Sequence, residues 1–238
     1  MPVFTEAVVT AFTLLFGGSG ELWNVIFVTF EVAIISTVAG IVLGTPMGFL
    51  MGATRFRGRR TLLALTNTGM AVPPVVIGLI VMMMLSRRGP LGFLGLLYSV
   101  NAMSIAQTLI STPIIAGLTA AAVASVPYKL RLQARSLGAS PIQEALLALK
   151  EARLGVIAAV AAGFGAVVRG VGAVMMVGGN IEGKTRVLTT AIVQESRQGQ
   201  FGTALALGLI LMTITFGLNG LITWYQHSNE RFERSRSR

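Results

Sequence analysis

The sequence predicts an all-α membrane protein with five transmembrane helices, and three observations support that fold class. Hydrophobic residues make up 53% of the 238 residues and charged residues only 12%, whereas an ordinary soluble domain has about a quarter charged residues. Mean hydropathy is +0.75. Apolar stretches of roughly 20 residues, long enough to cross hydrocarbon, occur several times. We expect one membrane domain over residues 1–238 and no second large soluble domain.

The first element is the apolar segment Val3–Phe16, which the glycine-rich residues after it bring to an end. A segment of about 14 residues is too short to span a bilayer. We therefore expect residues 1–20 to form a helix that lies in the outer interface. The segment has neither a basic leading region nor a small-residue cleavage site, which argues against a signal peptide.

Five longer apolar segments follow, and each is predicted to be a transmembrane helix. They are Val25–Met51, Leu62–Leu85, Met103–Val126, Leu154–Val177 and Thr203–Tyr225. Pro73, Pro74 and Pro113 should bend the second and third of these helices, because proline removes a backbone donor.

The basic residues predict the orientation of these helices. Thirteen of them follow the first, third and fifth spans, and five lie on the opposite side. Because loops rich in lysine and arginine stay in the cytoplasm, the amino terminus should lie outside and the carboxyl terminus inside. Residues 127–153 then form a cytoplasmic loop, and residues 226–238 form a basic cytoplasmic tail.

The loop at residues 127–153 contains the signals for two helices and a sharp turn. Gly138 can adopt the left-handed conformation that ends a helix. Ser140 and Gln143 have the spacing of a capping box, which begins a helix. A second helix is therefore predicted over Ile142–Lys150.

That second helix has an apolar face with the spacing of an amphipathic helix. The face consists of Ile142, Ala145, Leu146 and Leu149. Two interpretations stay open: the helix packs on its own bundle, or it offers this face to a soluble partner.

Two charged residues, Glu31 and Arg169, fall inside predicted spans. Placing a charge in lipid costs at least about 2.5–3.5 kcal/mol, so such residues pair with each other or face a polar pathway. Counted at about 1.5 Å of rise per residue, both lie at a similar depth below the outer surface. We expect Arg169 to face the bundle interior, either paired with Glu31 or available to a passing anion.

Uncharged polar residues in the spans are weaker candidates for a pathway. Asn67, Ser111 and Thr112 could line a pore, but hydroxyl and amide groups also form hydrogen bonds between membrane helices. The sequence leaves both interpretations open.

The segment Gly178–Thr185 matches the phosphate-binding pattern G-x-x-x-x-G-K-[ST]. That pattern has meaning only between a strand and a helix, and the chain has no aspartate to help hold magnesium. A glycine-rich external turn is the better interpretation, with Lys184 and Arg186 either solvated or facing an anionic cargo.

Composition also argues against an enzyme or a metal site. Cysteine is absent, all nine acidic residues are glutamates, and the single histidine, His227, lies near the carboxyl end. Cysteine nucleophiles and thiolate ligands are excluded, and we expect no catalytic residue, metal or bound cofactor on this chain. The net charge of +10 is explained by orientation in the membrane rather than by nucleic-acid binding.

The segment Ala134–Ser140 resembles the EAA loop of binding-protein-dependent ABC importer permeases. The stretch Val171–Val193 is similar to the corresponding part of tungstate-type permeases, which are related to molybdate and sulfate permeases. The five-span order and the loop between the third and fourth spans agree with that family. The resemblance covers essentially the whole chain and implies a type I ABC importer permease fold.

In that family, the loop couples the permease to a separate ATP-hydrolysing subunit. The resemblance implies a second copy of the chain, two ATP-binding cassette subunits that carry ATP and Mg, and an extracytoplasmic oxyanion-binding protein. It assigns coupling to Ala134, Arg135, Ser136, Leu137, Gly138, Ala139, Ser140 and Pro141. Asn180, Lys184 and Arg186 become candidates for the face that meets the binding protein.

The implied function is import of a tetrahedral oxyanion across a prokaryotic plasma (inner) membrane. The resemblance favours tungstate, with molybdate and sulfate as alternatives. The rival class is a secondary transporter or channel that works without ATP, which would have inverted repeats, broken helices and membrane-embedded carboxylates. We find no internal repeat, and only Glu31 supplies a carboxylate within a predicted span.

Overall fold

The computed structural model describes residues 2–17 and 20–236, with side chains described at residues 7–14, 17 and 20–221. Within those residues the regular structure comprises eleven α-helices and a short 3-10 turn at Gly92–Leu94. The helices are α1 (Pro2–Phe16), α2 (Gly20–Ala53), α3 (Arg59–Ala71), α4 (Pro74–Leu85), α5 (Val100–Ala124), α6 (Tyr128–Ser136), α7 (Pro141–Glu151), α8 (Arg153–Val168), α9 (Val171–Gly178), α10 (Leu188–Arg197) and α11 (Phe201–Arg236).

The chain divides into two compact units, and each unit is built from three separate segments. The first unit comprises Met1–Ser36, Pro73–Thr108 and Gly165–Leu221, and the second comprises Thr37–Val72, Leu109–Phe164 and Ile222–Arg238. Because these segments alternate along the chain, neither unit is a continuous stretch of sequence. Helices α2, α5, α8 and α11 each contribute residues to both units.

Three helices in the described part of the chain are long and apolar enough to cross a membrane. They are α2, α5 and the segment Phe201–Leu221 of α11. These helices confirm the predicted first, third and fifth spans. Pro113 lies inside α5, which continues past it to Ala124.

The predicted second span, Leu62–Leu85, is divided into two helices at the prolines that were expected to bend it. Helices α3 and α4 meet at an angle of 99°. Val72, between them, has extended backbone, as a residue before proline prefers. Pro74 then occupies the first turn of α4, where its missing N–H leaves no donor unpaired. The predicted bend at Pro73 and Pro74 is confirmed, and it is large enough to break the span.

The predicted fourth span, Leu154–Val177, is wrong as a single helix. Helix α8 ends at Val168, and α9 begins only at Val171. In addition, α8 follows α7 after a single residue, at an angle of 63°. By length and composition the described residues contain between three and five candidate crossings, five being reached when the bent pairs α3–α4 and α7–α8 each count as one.

The break between α8 and α9 consists of Arg169 and Gly170, and a side chain from α5 stabilises it. The amide nitrogen of Gln107 donates to the carbonyl of Val167 at 3.1 Å and to that of Gly170 at 3.0 Å. The Val167 carbonyl also accepts from the N–H of Gly170 at 3.0 Å, so Gln107 adds a second donor there and supplies one to the Gly170 carbonyl. An unpaired buried carbonyl is costly. Gln107 is itself buried, so the break is a fixed part of the first unit.

The two ends of the chain are also helical. Helix α1 confirms the helix predicted at the amino terminus, while its position in the outer interface stays a prediction. Helix α11 continues to Arg236, so most of the predicted basic tail prolongs the last helix. Met1, Gly18, Ser19, Ser237 and Arg238 lie outside the described residues.

In the second unit, α2 and α5 pack at short range because α2 has glycine at every fourth position. The four positions are Gly40, Gly44, Gly48 and Gly52. A β-carbon at Gly44 would lie 2.8 Å from the carbonyl oxygen of Thr112, and one at Gly52 would lie 2.7 Å from that of Ala120. Glycine lets the two backbones approach, as small residues do in pairs of membrane helices.

The core of the first unit lies between α1, α2, α10 and α11. Its buried residues include Ala11, Leu22, Leu188 and Ala206. The N–H of Leu188, at the start of α10, donates to the hydroxyl of Thr29 in α2 at 2.9 Å. This bond satisfies a free donor at the start of α10 and joins α10 to α2.

The variant Gly44→Val is expected to destabilise the protein, because the new side chain would overlap with the backbone of α5. Overpacking of this kind costs about 1–3 kcal/mol, so the midpoint of thermal unfolding in detergent should fall. Gly208→Val is the matched control, since no atom beyond the adjacent backbone of its own helix lies within 4 Å of a β-carbon at Gly208. An equal loss of stability in both variants would contradict the close packing of α2 on α5.

Candidate functional site

The helix–turn–helix predicted at residues 127–153 is confirmed as α6, a turn at Gly138 and α7. Gly138 has a φ angle of +84°, a left-handed conformation that glycine adopts without strain. Its N–H donates to the carbonyl of Arg135 at 2.9 Å, and the N–H of Ala139 donates to that of Ala134 at 3.0 Å. This pair of bonds is a Schellman motif, which ends α6 sharply.

Helix α7 begins with the predicted capping box. The N–H of Gln143 donates to the Ser140 hydroxyl at 3.3 Å, and the N–H of Ser140 donates to the Gln143 side-chain oxygen at 2.8 Å. Pro141 occupies the first turn, where a proline loses no hydrogen bond. These local bonds fix the direction in which α7 leaves the turn.

A buried carboxylate that was not predicted from the sequence joins α6 to α7. The Glu144 side chain of α7 is 7% exposed and accepts a hydrogen bond from Arg135 at 2.5 Å. Its other oxygen lies 3.7 Å from the Arg131 guanidinium. The hydrogen bond to Glu144 raises the pKa of the Arg135 side chain above its ordinary value. The only sequence signal is an acidic residue in the first turn of α7, where the helix dipole favours it.

The predicted apolar face of α7 is divided: Ala145 and Leu149 are partly buried, and Leu149 packs on the protein's own core, whereas the other two residues are exposed. Ile142 is 73% exposed and Leu146 is 55% exposed, while Leu137 in the turn is 87% exposed. The buried face also includes Ala148, which packs in a cluster with Val123 of α5. Helix α7 thus packs on its own bundle and presents a second apolar surface outward. We call Leu137, Ile142 and Leu146 the α7 patch.

The two charges predicted inside spans do not pair in this structure. Glu31 and Arg169 are both described, and no salt bridge joins them. The Arg169 side chain is exposed, because it lies in the break between α8 and α9 rather than inside a helix. The ion pair with Glu31 is therefore not formed here, and presentation of Arg169 to a passing anion stays a prediction.

The three uncharged pathway candidates have different surroundings. Asn67 is exposed on α3, Thr112 is half-buried on α5, and Ser111 is fully buried. A β-carbon at Gly40 would overlap with the Ser111 hydroxyl, so Ser111 lies in a packed interior between helices. Of these three residues, only Asn67 has the exposed side chain that a pathway residue needs.

Asn180, Lys184 and Arg186 lie in the turn between α9 and α10. The Arg186 guanidinium lies 3.1 Å from the carboxylate of Glu21 and 3.5 Å from that of Glu182. Asn180 is half-buried, whereas Lys184 is exposed. The structure therefore uses Arg186 to hold the turn and leaves Lys184 accessible to a partner.

The glycine-rich pattern at Gly178–Thr185 is a closed turn rather than a phosphate-binding loop. It joins two helices, α9 and α10. The Thr185 hydroxyl donates to the carbonyl of Gly178 at 2.6 Å and accepts from the N–H of Ile181 at 2.9 Å. In a phosphate-binding loop this hydroxyl would hold magnesium, but here it is buried and its bonds lie within the turn.

Comparison with known proteins relates nearly the whole chain to membrane transport components. A family model described as "Binding-protein-dependent transport system inner membrane component" matches residues 44–230. A "Probable anion ABC transporter permease protein" from Haloferax volcanii is 38% identical over 84% of this chain and 88% of its own length. The "Tungstate uptake system permease protein TupB" of Peptoclostridium acidaminophilum is 36% identical over 93% of this chain and 97% of its own length.

Solved structures show the same fold. An inward-facing structure of the MetNI methionine ABC transporter aligns with a TM-score of 0.69 at 23% identity, covering 92% of this chain and 97% of that one. A bacterial ABC transporter for the import of alginate aligns with a TM-score of 0.74 at 16% identity, covering 92% and 82%. At these identities the likeness concerns the fold alone.

The variant Ser140→Ala is expected to loosen the first turn of α7, because it removes the hydroxyl that caps the Gln143 N–H. Losing such a cap costs about 0.5–2 kcal/mol, so amide hydrogen exchange at the start of α7 should accelerate about two- to thirtyfold. Ser136→Ala is the matched control, because the Ser136 hydroxyl donates only within α6, to the Gln133 carbonyl. Equal acceleration in α7 for both variants would contradict the role of the capping box.

Proposed function

The chain belongs to the family of binding-protein-dependent transport system inner membrane components, and from this premise we propose that it is the membrane-spanning subunit of an ATP-driven tungstate importer. The observation that carries the proposal is the α6–α7 element, a rigid helix–turn–helix with an uncovered apolar patch. It stands at the position of the family's EAA loop. Relatives that match nearly the whole chain support the same assignment.

The α7 patch is suited to dock a separate ATP-hydrolysing subunit. Its three apolar side chains are exposed, and no part of the described chain covers them. Clustered exposed apolar residues favour contact with a protein partner over contact with water. The segment from Ala134 to Pro141 supplies the turn beside the patch. A displacement of α7 is transmitted to the other helices, because the capping box and Glu144 leave the α6–α7 element little freedom to bend.

We place five membrane crossings in the chain: α2, the bent α3–α4 pair, α5, α8 with α9 rather than α7 with α8, and α11. Thirteen basic residues follow the first, third and fifth crossings, against five on the other side. The positive-inside rule then puts α6, α7 and the carboxyl end of α11 in the cytoplasm and the amino terminus outside. Helix α1 would lie in the outer interface.

The cargo in this proposal is a tetrahedral oxyanion, and Arg169 is the residue that we assign to its pathway. An exposed cation within a membrane bundle faces a polar cavity or another subunit rather than lipid. Breaks in a membrane helix are tolerated where they line such a cavity. Tungstate is preferred because of the Peptoclostridium relative. Molybdate and sulfate, which are also tetrahedral dianions, are the alternative cargoes.

We propose a complex of two copies of this chain, two ATP-binding cassette subunits that carry ATP and Mg, and an extracytoplasmic binding protein. Exposed Lys184 supports contact with that binding protein, and Arg186 holds the turn that presents it. ATP binding would close the two cassette subunits and move α7. The bundle would then change from an inward-open to an outward-open state and receive the oxyanion from the binding protein.

A transporter or channel that works without ATP is the alternative class. Such proteins carry carboxylates at membrane depth and are built from inverted repeats. Glu31 is the only carboxylate within the proposed crossings that we place at membrane depth, and the sequence has no internal repeat. Tungstate uptake by the chain alone, without ATP, would favour this alternative.

The variant Gly138→Arg is expected to release the ATP-hydrolysing subunit. A side chain in the left-handed conformation costs roughly 1–2 kcal/mol, and the new charge would stand beside the α7 patch. Tagged wild-type permease should retain the ATP-hydrolysing subunit through purification, whereas the variant should retain several-fold less.

Gly58→Arg is the matched control for this release. Gly58 has a φ angle of +91° and open space around it, but it precedes α3 and lies outside the α6–α7 element. Equal retention of the ATP-hydrolysing subunit by the two variants would contradict the assignment of docking to α6 and α7.

The variant Arg169→Ala is expected to lower ATP-dependent tungstate uptake into proteoliposomes by about tenfold, equivalent to about 1.4 kcal/mol. Arg169→Lys should retain part of the uptake, because the charge is kept. Arg197→Ala, which removes an exposed cation at the end of α10, is the control. The inhibition of tungstate uptake by added molybdate or sulfate shows which of the three anions the wild-type protein prefers. Undiminished uptake by Arg169→Ala would remove Arg169 from the pathway.

A further inference from the structure

We propose that Arg131 is a positioning residue that ties the α6–α7 element to the carboxyl end of α2. Arg131 then transmits a displacement of α7 to α2, and not only to the neighbouring residues of the loop. The inference rests on the proposed function, since it concerns how ATP-driven movement of α7 reaches the crossings. It assigns a role to two residues, Arg131 and Glu144, that lie outside the EAA-like segment.

The Arg131 guanidinium touches two elements other than its own. Its terminal nitrogen donates to the carbonyl oxygen of Ala53, the last residue of α2, at 3.3 Å. Its Nε lies 3.7 Å from the carboxylate of Glu144 in α7. The side chains of Arg131 and Glu144 are only 17% and 7% exposed. One side chain from α6 therefore joins α2 to α7 in a largely buried position.

The contact between Arg131 and Glu144 is loose in this state. At 3.7 Å it is an ion pair and not a hydrogen bond, and the Arg131 Nε is buried without a hydrogen-bond partner. An approach of about 0.8–1.0 Å would bring the two groups to the distance of a charge-assisted hydrogen bond. A small shift of Glu144 toward Arg131 would thus satisfy a buried donor, which makes the contact sensitive to the position of α7.

The carboxyl end of α2 is a suitable place for Arg131 to bind and so to transmit a displacement of α7. The last carbonyls of a helix have no partner within the helix, and cationic side chains are favoured there by the helix dipole. Two arginines occupy this end: Arg59 donates to the carbonyl of Met51 at 2.6 Å, and Arg131 donates to that of Ala53. Only Arg131 also contacts α7.

Displacement of the α2 end cannot be absorbed locally, because α2 is packed on α5 along its glycine positions. The stripe from Gly40 to Gly52 leaves no space between the two backbones. Protein interiors packed this closely transmit a shift rather than deform around it. A displacement of Ala53 therefore moves α2 and α5 together within the second unit.

The test compares Arg131→Met with Arg59→Met in the full complex of permease, ATP-hydrolysing subunit and binding protein in proteoliposomes. Both variants remove a cationic cap from the same helix end, but only the first breaks the link to α7. Tungstate uptake and ATP hydrolysis are measured in the same vesicles. Tungstate taken up per ATP hydrolysed should fall about two- to thirtyfold in Arg131→Met, the usual range for a residue that carries coupling. In Arg59→Met this ratio should stay within about twofold of wild type.

An equal ratio in Arg131→Met and Arg59→Met would overturn the inference, because loss of a helix cap would then explain both. Should Arg131→Met fail to accumulate in the membrane, Glu144→Gln compared with Arg135→Met carries the same test. Both variants weaken the bond between Arg135 and Glu144, but only Glu144→Gln also removes the ion pair with Arg131, and it leaves the bond to Ala53 in place. A normal ratio in Glu144→Gln would also overturn the inference. Arg131→Lys should leave the ratio low, because an ammonium group can reach one partner but not bridge both.

A second measurement does not depend on transport. The chain contains no cysteine, so spin labels can be attached at Arg55→Cys and Glu151→Cys, two exposed positions just beyond α2 and at the end of α7. The label-to-label distance distribution should be narrow in the otherwise unchanged chain and in Arg59→Met, and broader in Arg131→Met. Equal widths in all three would overturn the inference. If no ATP-hydrolysing subunit binds the wild-type chain, the proposed function fails, while the label widths still decide whether Arg131 joins α2 to α7.

Discussion

Where a helix ends or breaks in this apolar chain, its free backbone carbonyls need donors, and the rest of the structure depends on how these are supplied. Side chains from other helices supply these donors. Gln107 serves the break between α8 and α9, and Arg59 and Arg131 serve the end of α2. Each of these side chains also joins two helices. The hydrogen bonds that pair the free carbonyls therefore also hold the helices together.

The break between α8 and α9 shows how this constraint shapes a candidate pathway. A β-carbon at Gly170 would lie 2.6 Å from the amide nitrogen of Gln107, so the Gln107 amide can reach the carbonyls only because residue 170 is glycine. The neighbouring residue, Arg169, is thereby held outside regular helix with its side chain exposed. A charge in the middle of an apolar sequence would be unfavourable in a continuous, lipid-facing helix. The broken helix removes that conflict and frees the charge for a polar partner.

Local and distant interactions together make the α6–α7 element rigid. Gly138 and the capping box at Ser140 make the turn sharp through bonds within a few residues. Glu144 then holds two arginines of α6, and Ala148 packs beside Val123 of α5. A buried carboxylate without partners would be destabilising, and the two guanidinium groups offset that penalty. The uncovered apolar surface is left on the opposite side of a helix that cannot easily bend.

The sequence by itself determined the membrane class, the three long helices, the bend at Pro73 and Pro74, and both caps of the α6–α7 turn. These follow from composition, from apolar runs and from bonds between residues at most five positions apart, so a single sequence contains them. Only the tertiary structure decided the break at Gly170, the burial of Ser111, the pairing of Arg186 and the cluster around Glu144. Some of the deciding bonds join residues 60, 78 and 165 positions apart. A pattern of residue types along the chain does not specify which distant polar groups meet. That is set by the packing of α2 on α5 and of α10 on α2, which brings donors and carbonyls within reach of each other.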